Sequence, residues 1–204
     1  DITFNPDYYD GNANSTDEDW YNATVDHTIG TIEVPFNGTI DGQGYTISGI
    51  DFNGADGKGF INYMGENGVL KNVAFVNTRL QGRSAIVYGA KAGGLVENVY
   101  VQLYSRWNAY EGKTGMFAAN PDFDEKLVLK NVVVDLTDTI YNDNLTRKGL
   151  LLGRFASKDQ LTNVVVLGVT DAWKNDVAVN GETAYVSYLT GGDNGVTFPT
   201  TGWD

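Results

Sequence analysis

The chain has 204 residues, and its 14 Lys and Arg residues against 26 Asp and Glu residues give a formal net charge of −12. This charge repels phosphate backbones and anionic lipid surfaces, which argues against binding of nucleic acid or of a membrane surface. The absence of Cys excludes disulfides, thiolate catalysis and Cys-ligated zinc, and no apolar run approaches the roughly 18 residues of a membrane span, so no membrane insertion is predicted.

Residues 1–30 are polar and acidic and lack the period-two alternation of a strand. We expect them to form a loop-rich leader that caps the first turn of the fold. Within the leader, oxygen-bearing side chains alternate at Asp10, Asn12 and Asn14 like the first part of an EF-hand loop, but two diagnostic positions of that loop carry the wrong residue. A calcium site at these residues and a solvated acidic loop are both open interpretations.

Residues 28–52 alternate apolar and polar side chains between Asp-Gly and Gln-Gly breaks, which is typical of short strands joined by tight turns. We expect strands in residues 31–34 and within residues 36–50. The segment 36–50 resembles the F-x-G-T-x-D-G-x-G-x-T-I-x-G-I pattern that opens many bacterial right-handed β-helix proteins of the pectin-lyase-like class. The Gly-Phe-Ile and Leu-x-Asn-Val units that follow it resemble the GLUG-type repeats of bacterial surface proteins. The resemblance implies an all-β, right-handed parallel β-helix but little about function, because such proteins include adhesins, phage tail proteins and glycan-active enzymes.

A four-residue unit, an apolar residue followed by any residue, Asn and Val, occurs four times in the chain. Its asparagines are Asn72, Asn98, Asn131 and Asn163. They are 26, 33 and 32 residues apart, a period typical of solenoid repeats. A second apolar patch precedes each unit, so each rung should supply at least two strands. We therefore expect β-helix rungs over residues 31–170, with residues 171–204 forming the last rung or a C-terminal cap.

The repeated asparagine should lie at a bend and stack on its counterparts in neighbouring rungs. Parallel strands lie about 4.8 Å apart, so the amides can hydrogen-bond along the stack, which would satisfy groups that are costly to bury. We therefore expect the four asparagines to form a buried structural ladder. Four separate asparagines in surface turns are the alternative.

The strands that follow the asparagines should have an apolar outer face. The first and third residues after each asparagine are apolar and should point inward, which places the residues between and beyond them outside. The apolar residues of this outer face are Ala74, Val76, Tyr100, Val133, Val165 and Leu167. Because a soluble monomer seldom exposes a large apolar patch, we expect the chain's own ends, a neighbouring domain or self-association, as around a threefold axis, to cover this face.

Aromatic side chains are concentrated in the loops that lengthen the rungs. The four that lie in these loops are Tyr104, Trp107, Tyr110 and Tyr141. Sugar rings pack on aromatic faces while their hydroxyls bond to nearby carboxylates and amides, so these residues predict glycan binding. The alternative is that they cover exposed edges of the coil or plug its ends.

Carboxylates are the only candidates for catalysis. Glycoside hydrolysis requires two acids roughly 5 to 9.5 Å apart, and one loop with its adjoining strand has the densest acids. The candidates are Asp122, Asp124, Asp135 and Asp138. Some clustering of acids is expected by chance in a chain with 26 of them. Serine-type catalysis would have to use His27, the only histidine, which we expect to be a surface or cap residue. The lyases of the β-helix class use aligned carboxylates for Ca²⁺ and a basic proton acceptor, and this constellation cannot be matched here, so the resemblance implies no active site.

These features predict a non-enzymatic adhesive or structural module of a bacterial surface protein or a phage particle, located outside the cell or in a virion. The expected partner is a surface glycan or a host-surface receptor. Apart from the calcium alternative, no cofactor is predicted. The alternative function is a polysaccharide depolymerase, a lyase or hydrolase of the β-helix class.

Overall fold

The computed structural model describes residues 1–3, 29–52, 59–80, 86–91, 93–103, 114–115, 127–137, 148–149 and 161–168. The regular structure within these ranges is entirely β, without helices. The strands are β1 (Ile2–Thr3), β2 (Thr39–Asp41), β3 (Thr46–Ser48), β4 (Asp51–Phe52), β5 (Ile61–Met64), β6 (Val69–Leu80), β7 (Val87–Ala90), β8 (Leu95–Leu103), β9 (Thr114–Gly115), β10 (Val128–Asp135), β11 (Lys148–Gly149) and β12 (Leu161–Leu167). The part of the chain that the structure describes is therefore all-β, as the sequence predicts.

The strands that contain the repeated unit pair with one another in parallel. An eight-stranded sheet has the order β1-β3-β6-β8-β10-β12, and β2 and β4 also pair with β6. The register aligns equivalent residues of the repeats, so Val99 pairs with both Val73 and Val132. Two smaller parallel sheets join β5 to β7 and β9 to β11. In every pair, the two strands are joined by a long stretch of chain that crosses over between them, as parallel pairing requires.

The repeated asparagines bend the strands in which they lie. Their φ angles are 53° at Asn72, 54° at Asn98, 51° at Asn131 and 50° at Asn163, in the left-handed region. Asn adopts this region more readily than most residues that have a side chain beyond Cα, because its short polar group can bond locally. This explains why Asn, and not an apolar residue, occupies the position where each strand changes direction.

The hydrophobic core consists of the inward-facing residues of the repeats together with residues of β5 and β7. After Asn98, for example, Val99 and Val101 are buried while Tyr100 between them is only half-buried. The ring of Phe75 packs edge-to-face against Phe60 with centroids 5.1 Å apart, a favourable aromatic geometry. The predicted alternation of inward and outward side chains along these strands is confirmed.

Two segments differ from the sequence-based expectation. Residues 31–34 form a turn and not a strand: Thr31 N donates to Val34 O, and Val34 N donates to the Thr31 hydroxyl oxygen. These bonds use the backbone groups that strand pairing would need, and Val34 stays 73% exposed. At the start of the predicted leader, β1 pairs in parallel with β3 and adds a strand to the sheet. At the end of the predicted leader, Ile29 forms a parallel bridge to Ile61. Residues 4–28 of the leader lie outside the described residues.

Within the described ranges, no helix is long and apolar enough to cross a membrane.

Candidate functional site: the asparagine ladder and its groove

The four repeated asparagines are joined by side-chain hydrogen bonds. Asn98 Nδ2 donates to Asn72 Oδ1 over 3.0 Å, and Asn131 Nδ2 donates to Asn98 Oδ1 over 2.9 Å. Asn163 Nδ2 donates to Asn131 Oδ1 over 3.0 Å. We call this row of amides the asparagine ladder. All its bonds point the same way, each amide donating to the repeat before it.

A carboxylate ends the asparagine ladder. Asn72 Nδ2 donates to Asp41 Oδ1 over 3.0 Å, the same oxygen accepts from Gln43 N, and Lys71 Nζ lies 3.4 Å from Asp41 Oδ2. The hydrogen bond from Asn72 is the main reason that the pKa of Asp41 lies below its ordinary value of 3.8, with further lowering by Gln43 and Lys71. An ionised carboxylate can only accept hydrogen bonds, so Asp41 fixes the direction in which Asn72 and all later amides are oriented.

The asparagine ladder lies at the surface, which differs from the predicted buried ladder. Asn98, Asn131 and Asn163 are exposed, and Asn72 is half-buried. A primary amide has two N–H donors and two acceptor lone pairs. The ladder bonds of Asn98 use one N–H and one lone pair, so each inner amide has a donor and an acceptor left for a molecule at the surface.

An open groove of about 520 Å³ runs along the asparagine ladder. Its lining residues come from successive repeats and are uncharged: Gln43, Gly44, Asn72, Val73, Ala74, Asn98, Val99, Tyr100, Asn131 and Val133. The asparagines form one wall, and residues of the outer face form the other. The groove therefore crosses the strands, because its lining repeats from one strand to the next in the register of the sheet.

Tyr100 is anchored by a carboxylate in the neighbouring strand. Its hydroxyl donates to Asp135 Oδ2 over 2.8 Å, and Asp135 Oδ1 accepts from Thr137 N over 3.0 Å. Partial burial raises the pKa of Asp135, but the hydrogen bonds from Thr137 and Tyr100 lower it by more, so it lies below the ordinary value of 3.8. A carboxylate that is ionised and bonded at both oxygens is suited to hold Tyr100 in place, whereas a general acid needs a raised pKa.

The charges beside the groove alternate in sign. The residue before the ladder position is Asp41, Lys71, Glu97 and Lys130 in successive strands, and the register pairs each of them with the next. Opposite charges on neighbouring strands attract, and their sum along this column is zero. This column of residues beside the asparagines is therefore neutral, although the chain has a net charge of −12.

Most of the other predicted site residues lie outside the described residues. This holds for the aromatic candidates Tyr104, Trp107, Tyr110 and Tyr141, for the acids Asp122, Asp124 and Asp138, and for the calcium candidates Asp10, Asn12 and Asn14. Among the residues that are described, no three His, Cys, Asp or Glu side chains come together as a metal site.

Asp41 and the groove were not predicted from the sequence. The register pairs Asp41 with Lys71, so Gly42 occupies the ladder position of the first repeat. Gly42 has no side chain, and the group that bonds to Asn72 belongs to the residue before it, so the repeat pattern did not indicate Asp41. No sequence pattern predicts the groove. One of its walls consists of turn residues and the other of outward-facing strand residues, and each wall becomes continuous only when the strands pair in register.

Comparison with known proteins gives one partial similarity. No family model matches the chain, and no solved structure matches it. The chain is 35% identical over 94 residues, 44% of its length, to halomucin of Haloquadratum walsbyi (strain DSM 16790 / HBSQ001). The match covers 1% of halomucin, so the chain spans about one hundredth of the length of the relative that it matches. The resemblance to pectin-lyase-like and GLUG-type proteins stays a prediction.

Proposed function

We propose that the chain is a right-handed parallel β-helix module of a cell-surface protein, with a structural or adhesive and non-enzymatic role. The observation that carries this proposal is the asparagine ladder. It joins equivalent positions of β6, β8, β10 and β12 by one hydrogen bond per repeat, and stacked repeats that contact only their neighbours are the defining feature of a solenoid.

The pairing of the remaining strands supports the solenoid. β5 lies between β4 and β6 in the chain and pairs with β7, which lies between β6 and β8. β9 and β11 are related in the same way to β8, β10 and β12. Strands at corresponding positions of successive repeats therefore form separate parallel sheets, as in a coil of rungs. Crossovers between parallel strands are right-handed in nearly all proteins, which supports the proposed hand.

The surface location rests on the partial similarity to halomucin. The net charge of −12 agrees with it, because a negative charge opposes binding to nucleic acid and to anionic membranes. A structural role is further supported by Asp135, whose two oxygens accept hydrogen bonds from Thr137 and Tyr100. A surface glycan is the proposed partner, contacted in part by the loop aromatics Trp107 and Tyr110.

Three measurements test this proposal. Far-UV circular dichroism should show a β-rich spectrum, and more than about a quarter α-helix would contradict the β-helix. Antibodies against the chain should label intact cells of the source organism, and labelling only after lysis would contradict the surface location. Incubation with a panel of polysaccharides should release no new reducing or unsaturated ends, whereas such ends would favour the depolymerase alternative.

A glycan array tests the adhesive part separately. The parent chain should bind surface glycans, and Trp107→Ala and Tyr110→Ala should weaken that binding if the loops take part. Equal binding by the parent and both variants would remove the loop aromatics from the proposal and leave the β-helix scaffold unaffected.

A further inference from the structure

The groove along the asparagine ladder has one polar wall of regular spacing. Asn72, Asn98 and Asn131 follow one another from strand to strand, and parallel strands lie about 4.8 Å apart. Each of these amides has one N–H and one lone pair beyond its ladder bonds. A ligand that complements this wall must therefore present groups that both donate and accept hydrogen bonds, at a similar repeat along a straight line. Sugar hydroxyls do both.

The opposite wall of the groove is apolar and partly aromatic. Ala74, Tyr100 and Val133 are paired residues of three neighbouring strands, and all three are half-buried. The bond from Tyr100 to Asp135 ties the phenol group to the neighbouring strand, so less of the ring's motion has to be lost when a ligand binds. The C–H face of a pyranose ring packs on such a surface while its hydroxyls point to the amides.

The charges in and around the groove favour an uncharged ligand over a charged one. Among the residues that the structure describes, no side chain that is charged at neutral pH lines the groove. The bordering column from Asp41 to Lys130 is balanced, and the carboxylate of Asp135, which accepts the bond from Tyr100, adds a negative charge beside the groove. A polyanion would meet repulsion from the net charge of −12 without gaining a cationic partner inside the groove. The same net charge opposes a second copy of the chain on this face, because two equally charged copies repel each other.

We propose that this groove binds an extended, uncharged polysaccharide strand, which packs its sugar rings on Ala74, Tyr100 and Val133 and bonds its hydroxyls to the asparagine ladder. The groove spans three to four strands, or roughly 15 Å at about 4.8 Å per strand, which accommodates a few sugar units. This inference rests on the proposed β-helix scaffold, and it names a binding surface distinct from the loop aromatics.

The test is a calorimetric titration of the full chain with three hexasaccharides. Cellohexaose is straight and uncharged, maltohexaose is uncharged but curved, and hexagalacturonate is charged. We expect saturable binding of cellohexaose and at least tenfold weaker binding of the other two. Ala74→Trp fills the groove and should weaken cellohexaose binding at least tenfold. Val76→Trp, on the same strand and face but outside the groove lining, is the matched control and should bind like the parent.

Circular dichroism spectra and melting temperatures of the parent and both Trp variants separate the β-helix proposal from the groove proposal. If the parent lacks a β-rich spectrum, the β-helix itself is overturned. If the parent has a β-rich spectrum but does not bind cellohexaose, only the proposed binding in the groove is overturned. If Ala74→Trp binds as well as Val76→Trp, the groove is not the site. If the parent sediments as an oligomer that Ala74→Trp alone disperses, a second copy occupies the groove. Each of these outcomes overturns the proposal.

Discussion

Asn72 donates its Nδ2 hydrogen to Asp41 Oδ1 over 3.0 Å, and this contact sets the direction of the whole asparagine ladder. An amide can be turned either way, but a carboxylate offers no donor, so Asn72 must present its nitrogen to Asp41 and its oxygen to Asn98. The same constraint then passes to Asn131 and Asn163. Hydrogen bonds in such a chain polarise one another, so the charge at one end strengthens the bonds that follow.

Replacement of one asparagine of the asparagine ladder should destabilise the fold in two separable ways. Asn98→Ala loses two side-chain hydrogen bonds and places Ala at a φ of 54°, so we expect the free energy of unfolding to fall by about 2 kcal/mol. Asn98→Gly loses the bonds but relieves the backbone, and about 1 kcal/mol is expected. Denaturant melts of both variants measure the difference.

Asn67→Ala is the control for the ladder variants. Asn67 is exposed and bonds to Asn37 only through its backbone N–H, which Ala retains. Its unfolding midpoint should match that of the parent. Equal midpoints for Asn67→Ala and Asn98→Ala would mean that the ladder contributes nothing to stability.

Stability should fall at acidic pH through Asp41 and Asp135. Both carboxyl groups have a pKa in the folded chain below the ordinary value of 3.8. Their contribution to stability is therefore fully present above pH 3.8 and is lost as the pH falls through the lower folded values. Unfolding midpoints measured against pH should drop in this acidic range, and less steeply for Asp41→Asn and Asp135→Asn. An unchanged slope in both variants would exclude these two groups as its origin.

Gly42 should tolerate no side chain, because it lies against the strand that begins the ladder. A Cβ at this position would lie 2.5 Å from Val73 Cβ and 2.7 Å from Asn72 O. We expect Gly42→Ala to cost about 3 kcal/mol, since β6 must shift to make room. Gly44→Ala is the comparison: φ is 81° there, but a Cβ meets nothing within 4 Å, so only backbone strain of about 1 kcal/mol is expected. A larger loss of unfolding free energy for Gly44→Ala would contradict this packing.

Thr78 offers a stabilising substitution. Its side chain is fully buried, and its hydroxyl oxygen has no hydrogen-bond partner in the described part of the chain. Thr78→Val has the same shape without the buried hydroxyl, so we expect the free energy of unfolding to rise by about 1 kcal/mol. The melting temperature should increase by about 2 to 4 °C. Thr162→Val on the exposed part of β12 should leave it unchanged, and a lower melting temperature for Thr78→Val would indicate that the hydroxyl is satisfied.

The sequence by itself determined the strands that follow the repeated asparagines and the side chains that they bury. These features are local: alternation assigns Val99 and Val101 to the inside, and the left-handed backbone of Asn98 requires only its own short side chain. The period of the repeat also indicated which strands are neighbours, because residues at equivalent positions of stacked repeats come into register.

Only the tertiary structure decided the features that depend on contacts between distant residues. Asp41 ends the ladder because the first repeat places its carboxylate beside Asn72, 31 residues away. The ladder is exposed because its bends lie at the surface and not under the core, and Tyr100 is anchored by Asp135, 35 residues away. The groove exists because two rows of residues, unremarkable within any single repeat, become continuous walls when the strands pair in register.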